Sequence, residues 1–134
     1  VRHALALGLV GESQPGSIHT LIELSRDPDD SVRDWATFAL GASTEIDSEE
    51  IRTALRARLN DSFDEARAEA IWGLAIRYDL EGLRLLLHRL ESETPWPGDS
   101  SAAADILGIS QTDNSIETLI FGIRERLRNR ETAI

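Results

Sequence analysis

Apolar residues along this 134-residue chain follow a helical spacing in four separate segments. In the clearest of them, Ile51, Leu55 and Leu59 recur at steps of four, which places them on one face of an α-helix. The other faces are polar or charged, so each segment is interpreted as an amphipathic helix. We call these segments the second helices and predict them at 17–25, 48–59, 80–91 and 115–130.

Between the amphipathic segments lie stretches that are apolar over a broader face and rich in alanine. Their sequences are VRHALALGLV, DSVRDWATFALG, EARAEAIWGLA and SAAADILGIS. A broad apolar face is typical of a helix buried between neighbours, and alanine suits places where two backbones approach closely. We call these stretches the first helices.

The first helices are copies of one another. When they are aligned, Arg2, Arg33 and Arg67 share a column with separations of 31 and 34 residues, and a fourth, weaker copy follows. Two helices that recur at this interval predict stacked helical hairpins. The predicted fold class is all-α: a right-handed α-solenoid of about four hairpins, as one domain over 1–134 with repeats at 1–26, 27–60, 61–93 and 97–130. Because the chain contains no methionine, we expect it to be a piece of a longer protein.

Helix starts are predicted from side chains that can cap free backbone N–H groups. Each candidate cap is followed by a carboxylate in the first turn, which is favourable near a helix N-terminus. The predicted caps are Asp27 (before Pro28, with Asp30), Asp47 (with Glu50), Ser62 (with Glu65) and Asn114 (with Glu117).

Composition narrows the classes of function. The absence of cysteine excludes disulfides, thiol chemistry and cysteine-bound zinc. No apolar run approaches the ~18 residues of a membrane span. The formal net charge of −10 argues against binding to nucleic acid, which requires cations that neutralise phosphates. We therefore expect neither a nucleic-acid nor a membrane partner, and a cytoplasmic location.

Two stretches, DPDDSVRDWATFALG and DSFDEARAEAIWGLA, resemble HEAT repeats, in particular the short bacterial and archaeal kind first associated with phycobilisome lyases. The shared pattern is Asp, then Val-Arg, spaced alanines and Leu-Gly. The chain departs from it where Ala75 replaces the glycine and where Ser100 stands in the arginine column. The resemblance covers residues 1–110, and it implies a solenoid fold rather than any particular chemistry.

The arginine column has a structural interpretation. We expect Arg33 and Arg67 to pair with loop acids such as Asp30 and Asp64 and so to hold adjacent repeats together, as the resemblance also implies. The alternative is a ladder that binds a ligand. Trp72 falls in a core-like column and is expected to pack inside.

The second helices differ from the rest of the chain in charge. They carry nine arginines and seven acids, against five arginines and seventeen acids elsewhere. In the resembled family the second helices line the concave surface, so we predict there an arginine-containing groove that binds an acidic segment of a protein partner. The alternative is that these arginines only balance glutamates one turn away on the same helix. The candidate partner-binding residues are Arg52, Arg56, Arg84, His88, Arg124 and, in a proline-flanked turn, Trp96.

No catalytic, cofactor-binding or metal-binding residues are predicted, because the histidines, acids and hydroxyls show no ligand or triad spacing. The predicted function is a non-catalytic protein-interaction scaffold, and we also expect self-association if the terminal repeats are uncapped. Two alternatives stay open. One is a bilin chromophore lyase-type subunit, since related repeats occur in such proteins. The other is a HEAT-like DNA-binding or repair protein, to which Trp35 beside Asp34 is faintly similar.

Overall fold

The computed structural model describes residues 2–9, 14–110 and 115–132, and all regular structure within these ranges is α-helical. The all-α prediction is therefore confirmed. The described ranges contain eight helices, which follow one another as the predicted first and second helices of four pairs. Their bounds are α1 Arg2–Gly8, α2 Pro15–Leu24, α3 Asp30–Gly41, α4 Glu49–Arg56, α5 Asp64–Ile76, α6 Leu80–Leu90, α7 Pro97–Leu107 and α8 Ile116–Thr132.

The second helices begin and end within three residues of their predicted bounds. The largest difference is at the end of α4, which stops at Arg56 instead of continuing to Leu59. There the N–H of Arg58 donates to the carbonyl of Leu55 at 2.9 Å, and the N–H of Leu59 donates to that of Arg56 at 3.2 Å. Bonds to the third residue back tighten the chain into a turn, so the apolar spacing continues for a few residues after the α-helix has ended.

The predicted caps of α3 and α4 are wrong by one or two residues. Asp29 caps α3, and its carboxylate accepts a hydrogen bond from the N–H of Ser31 at 2.8 Å. Ser48 caps α4, and its hydroxyl accepts from the N–H of Ile51 at 3.3 Å. The predicted cap Asp27 instead accepts from the N–H of Asp29 at 2.9 Å, in the turn before the helix.

Of the other predicted caps, two do not cap a helix and one lies outside the described residues. Asp47, the predicted cap of α4, binds the side chain of Arg52. Ser62 lies two residues before α5, which begins at Asp64, so it does not occupy the cap position. Asn114 lies outside the described residues. Two short polar side chains precede α3 and two precede α4, and the one whose extended backbone lies directly before the helix becomes the cap.

Two compact units make up the chain, Val1–Gly73 and Leu74–Ile134. In the first unit α3 packs against α1, α2 and α4. Burial of aliphatic side chains stabilises this packing, at about 1.5–3 kcal/mol for each fully buried Leu or Ile. The largest fully buried side chains of the unit include Leu21, Leu40, Ile51 and Leu55.

Small residues allow the first helices of this unit to approach closely. A Cβ atom added to Gly73 on α5 would lie 2.6 Å from the Cα of Gly41 on α3, which is closer than real Cβ contacts. The alanines Ala36, Ala66 and Ala70 are fully buried. The alanine columns were predicted to mark close backbone contact; these alanines are buried, and the close contact that the structure gives lies at the pair Gly41 and Gly73.

In the second unit α8 packs against α6 and α7. Its core includes Leu83, Leu86, Leu119 and Ile123. The hydroxyl of Tyr78 donates to the carbonyl of Ile106 at 3.2 Å and links the turn before α6 to α7. No helix among the described residues of either unit combines the length and hydropathy needed to cross a bilayer.

Candidate functional site

Arg33 on α3 donates hydrogen bonds from all three guanidinium nitrogens. Its Nε and one terminal nitrogen bind the two carboxylate oxygens of Asp61 at 2.9 and 3.1 Å. The same terminal nitrogen binds Asp30 at 2.5 Å. The other terminal nitrogen binds the carbonyls of Asp27 and Pro28, both at 3.0 Å. Because Arg33 and Asp61 are both buried, the arginine is a structural tie, as predicted.

The electrostatics of Asp61 follow from this contact. Burial alone would raise its pKa, but hydrogen bonds from Arg33 and from the N–H of Phe63 outweigh burial and hold the pKa of Asp61 below its usual value. The bond to Asp61 is also the main reason that the pKa of Arg33 is raised. The pair is therefore charged at neutral pH.

The other members of the arginine column also hold turns. Arg2 on α1 binds Asp27, in the turn before α3, with an N–O distance of 2.5 Å. Arg67 on α5 donates to the carbonyl of Asp61 at 2.7 Å and pairs with Asp64. Arg2 therefore ties its repeat to the next, as Arg33 does, whereas Arg67 holds the turn that opens its own repeat.

The candidate partner-binding arginines of the first unit lie on α4 and pair with nearby acids. Nε and a terminal nitrogen of Arg52 bind the two oxygens of Asp47, both at 2.7 Å. Arg56 approaches Glu49 with an N–O distance of 3.4 Å. Asp47 lies before α4 and Glu49 is its first residue, so both arginines point their charge toward the start of their own helix.

In the second unit the candidate arginines pair between helices. Arg84 on α6 binds Glu131 near the end of α8 at 3.0 Å. Arg124 on α8 binds Glu91, the residue that follows α6. These partners are 47 and 33 residues away in the sequence. The alternative prediction paired these arginines with glutamates one turn away on the same helix. In this unit the acids that they bind lie instead on, or next to, the other helix. The predicted His88 lies exposed on α6.

Trp96 stands at the cap position of α7 and is held by two charged side chains. The carboxylate of Asp99 accepts from the N–H of Trp96 at 2.7 Å and from Nε of Arg89 at 2.6 Å. The guanidinium of Arg89 lies 4.6 Å from the centre of the Trp96 ring, a cation–π contact. These three residues line a cavity of about 270 Å³ together with His88, Ser92 and Thr94.

A groove runs between α2 and α4 in the first unit, and no sequence pattern indicated it. It consists of two cavities of about 300 and 370 Å³ that share His19, Ile22 and Glu50 in their walls. We call this feature the α2–α4 groove. Its apolar wall is formed by Pro15, Ile18, Ile22 and Ile46, and its charged wall by Glu23, Arg26, Glu49 and Glu50.

A cluster of acids lies on the first helices α3 and α5. Burial, and then the charge of Asp34, raise the pKa of Glu69 to about 7. Burial and the charge of Glu65 raise the pKa of Asp34, while His3 acts against them. Within the described ranges, no three His, Cys, Asp or Glu side chains are grouped as ligands for a metal ion.

The tryptophans of the first helices are both half-buried. Trp35 packs edge-on between two rings, with centroid distances of 6.4 Å to His3 and 5.8 Å to Phe38. Trp72, which was expected in the core, is covered only in part. The fully buried positions of α5 instead belong to smaller side chains such as Ala70 and Leu74.

Comparisons with known proteins agree on one family. A family model described as HEAT repeats matches residues 18–107. Protein YibA of Escherichia coli strain K12 is 34% identical over 106 residues, which cover 79% of this chain, and YibA of strain O157:H7 matches equally well. The X-ray structure of Escherichia coli YibA matches with a TM-score of 0.63 and 30% identity, over 84% of this chain and 44% of that one. The chain spans 38% of the length of these curated relatives.

Proposed function

The chain belongs to the HEAT-repeat family and has its all-α solenoid fold, and from this premise we propose that it is a non-catalytic scaffold that binds a protein partner. Stacked helical hairpins offer an extended surface on which another chain can lie. The buried contacts of Arg33 support a scaffold role, because they use charged groups to hold repeats in register.

The observation that carries the proposal is the α2–α4 groove. It combines exposed carbon of isoleucine side chains with a charged wall, on two second helices. Protein interfaces have this composition: an apolar centre into which a few side chains insert, surrounded by a polar rim. The second helices are therefore the proposed binding face of the first unit.

For the second unit we propose, on the same kind of helix, contact with an acidic segment. Arg84 and Arg124 are 56% and 55% exposed, and so are within reach of a partner. Exposed ion pairs contribute only ~0–1 kcal/mol, so a partner carboxylate can replace Glu131 or Glu91 with little loss. On α4, Arg52 and Arg56 would likewise bind a partner carboxylate in place of Asp47 and Glu49.

Site-specific photo-crosslinking tests the scaffold proposal. A photoreactive amino acid is placed at Glu50 or Arg84 on second helices, and at the exposed control positions Glu65 and Ser101 on first helices. The full chain is then irradiated in a lysate of the source organism. We expect the same partner protein from both second-helix positions. Equal capture from the first-helix positions, or no capture, would contradict the proposal.

Charge reversal tests the acidic segment separately. Arg52→Glu combined with Arg84→Glu should weaken capture of the partner, because a carboxylate would then face a carboxylate. Arg52→Lys with Arg84→Lys is the matched control, since it keeps the positive charge at both positions. Unchanged capture by the Glu variant would show that these arginines are not the contact.

A further inference from the structure

The apolar wall of the α2–α4 groove determines one half of what can bind there. Ile22 and Ile46 are half-buried, and Ile18 lies beneath with 8% exposure. Pro15, the first residue of α2, also lines this wall. These side chains leave aliphatic carbon in contact with water, and covering such surface is favourable in proportion to its area. An aliphatic side chain is the group that this wall fits.

The charged wall determines the other half. Three carboxylates, of Glu23, Glu49 and Glu50, stand against one guanidinium, that of Arg26. Glu23 and Glu49 are 65% and 77% exposed, so their contacts with His19 and Arg56 are open to exchange with a ligand. Glu50 lies in the walls of both cavities, directly beside the apolar surface. A cation next to the bound aliphatic side chain would be attracted, and a carboxylate there would be repelled.

Neighbouring cations cancel this negative charge only in part. Arg56 approaches Glu49 at 3.4 Å, but it lies outside the groove walls. Arg52 is not among the residues of the groove walls and binds Asp47. His19 lies 3.0 Å from Glu23 and carries charge only when protonated. The net charge of the chain, −10, adds to the attraction for a basic segment.

We infer that the α2–α4 groove binds a segment of a protein partner in which an aliphatic side chain is adjacent to an arginine or lysine. The aliphatic side chain lies against Ile22 and Ile46, and the cation lies beside Glu50. The inference rests on the proposed scaffold function and specifies the ligand of one part of it. It differs from the acidic segment proposed for Arg84 and Arg124 in the second unit and for Arg52 and Arg56 on α4, so a partner that uses these surfaces would carry opposite charges at different places.

An unbiased peptide selection tests this chemistry. A phage library of random dodecapeptides is selected on the full 134-residue chain, with removal of phage that bind a variant carrying Ile22→Ser and Glu50→Arg. We expect enrichment of peptides that contain Leu, Ile or Val beside Arg or Lys. An acidic consensus, or no enrichment over the variant, overturns the inference.

Fluorescence anisotropy of the enriched peptide then measures how much each wall of the groove contributes to the binding affinity. Glu50→Arg should weaken binding about threefold to tenfold, the range for reversal of one exposed charge. The matched control Glu81→Arg changes the second residue of α6, as Glu50 is the second residue of α4, and should leave the affinity unchanged. Ile22→Ser should weaken binding about tenfold at any salt concentration, because it removes apolar contact. Equal effects of Glu50→Arg and Glu81→Arg would overturn the inference.

Two further readouts separate this inference from the function on which it rests. If photo-crosslinking captures a partner and the Ile22→Ser, Glu50→Arg variant captures it equally well, the scaffold function stands and the groove assignment is wrong. If the chain self-associates in sedimentation and Glu50→Arg abolishes this, the occupant is a second copy and the inference about a partner segment is wrong.

Discussion

Asp61 accepts two hydrogen bonds from Arg33, which lies 28 residues earlier, at 2.9 and 3.1 Å. Only 1% of the Asp61 side chain and 10% of the Arg33 side chain are exposed. Arg33 belongs to the first helix of one repeat and Asp61 to the turn that opens the next. The contact therefore fixes the position of one repeat on another with a charge-assisted, two-point bond.

Replacement of Arg33 by leucine should destabilise the first unit strongly. The variant removes both bonds to the buried carboxylate of Asp61, which keeps its ion pair with Arg58 at 2.9 Å, and this loss should cost about 1.5–3 kcal/mol. Urea unfolding followed by circular dichroism measures the loss. The matched control is Arg67→Leu in the same column, whose acid Asp64 is 63% exposed; it should lose about 1 kcal/mol. Equal losses would contradict the structural role assigned to Arg33.

The arginine column was predictable because repetition reveals it: the same residue type returns at a fixed interval beside loop acids. Which acid becomes the partner was not predictable from spacing. Asp30 lies three residues from Arg33 and was the expected partner, yet the buried contact is with Asp61. Adjacent repeats must first stack before Asp61 comes near, so only the tertiary structure identifies it.

The α2–α4 groove is a second feature that spacing along the sequence could not predict. The spacing of Ile18 and Ile22 predicts an apolar face on α2, and a face of this kind is ordinarily assigned to the core. Whether such a face is fully covered depends on how far α4 lies from α2 and on where the turn places Ile46. The charge count over the whole second helices favoured an arginine-containing groove on them. The three-dimensional arrangement puts Glu23, Glu49 and Glu50 at the groove itself.

Substitution of Gly73 by alanine should destabilise the packing of α3 on α5. The added Cβ would meet the Cα of Gly41 at 2.6 Å and a methyl group of Leu55 at 3.1 Å, and the backbone of Gly41 cannot yield as a flexible side chain can. Overpacking of this kind costs about 1–3 kcal/mol. Thermal unfolding of the variant measures the effect.

Gly16→Ala is the matched control for this substitution. Gly16 lies in the first turn of α2, and a Cβ there would have no neighbour within 4 Å. Alanine loses less backbone entropy than glycine when a helix forms, so this variant should be more stable by about 0.5–1 kcal/mol. A Gly73→Ala variant as stable as the parent chain would show that α3 and α5 can move apart without loss of stability.

Glu69 makes the stability of the first unit depend on pH. Burial and the neighbouring charge of Asp34 raise its pKa to about 7, above the ordinary value of 4.5. The folded chain therefore holds a proton that the unfolded chain releases, and stability falls as the pH rises from 4.5 through 7. Glu69→Gln removes this dependence and should be the more stable protein at pH 8, by about 1–2 kcal/mol once screening of the partly exposed carboxyl is included.

The comparison of unfolding free energies at pH 5 and pH 8 checks this expectation. The difference between the variant and the parent chain should be largest at pH 8 and should shrink toward pH 5. Glu45→Gln, an exposed change in the same unit that takes no part in the cluster of Asp34, Glu65 and Glu69, is the control and should alter the pH dependence little. A parent chain and a Glu69→Gln variant that respond identically to pH would mean that Glu69 is ionised throughout.

Asp99 controls the junction of α6 and α7 in the second unit. Its side chain is 1% exposed and joins Arg89 to the backbone of Trp96, at 2.6 and 2.7 Å. Asp99→Ala should cost about 3–5 kcal/mol, because it leaves the largely buried guanidinium of Arg89 without this carboxylate and removes a cap from α7. Asp105→Ala, at an exposed position of the same helix, should cost far less.

A second change separates the lost charge pair from the lost cap. Arg89→Met combined with Asp99→Ala leaves no unbalanced charge, so it should recover part of the stability that Asp99→Ala loses, whereas the contribution of the cap stays lost in both. Urea unfolding of the two single variants and the double variant gives the coupling free energy directly. Strictly additive losses would show that Arg89 and Asp99 stabilise the junction independently, and the position of Trp96 would then depend on the cap alone.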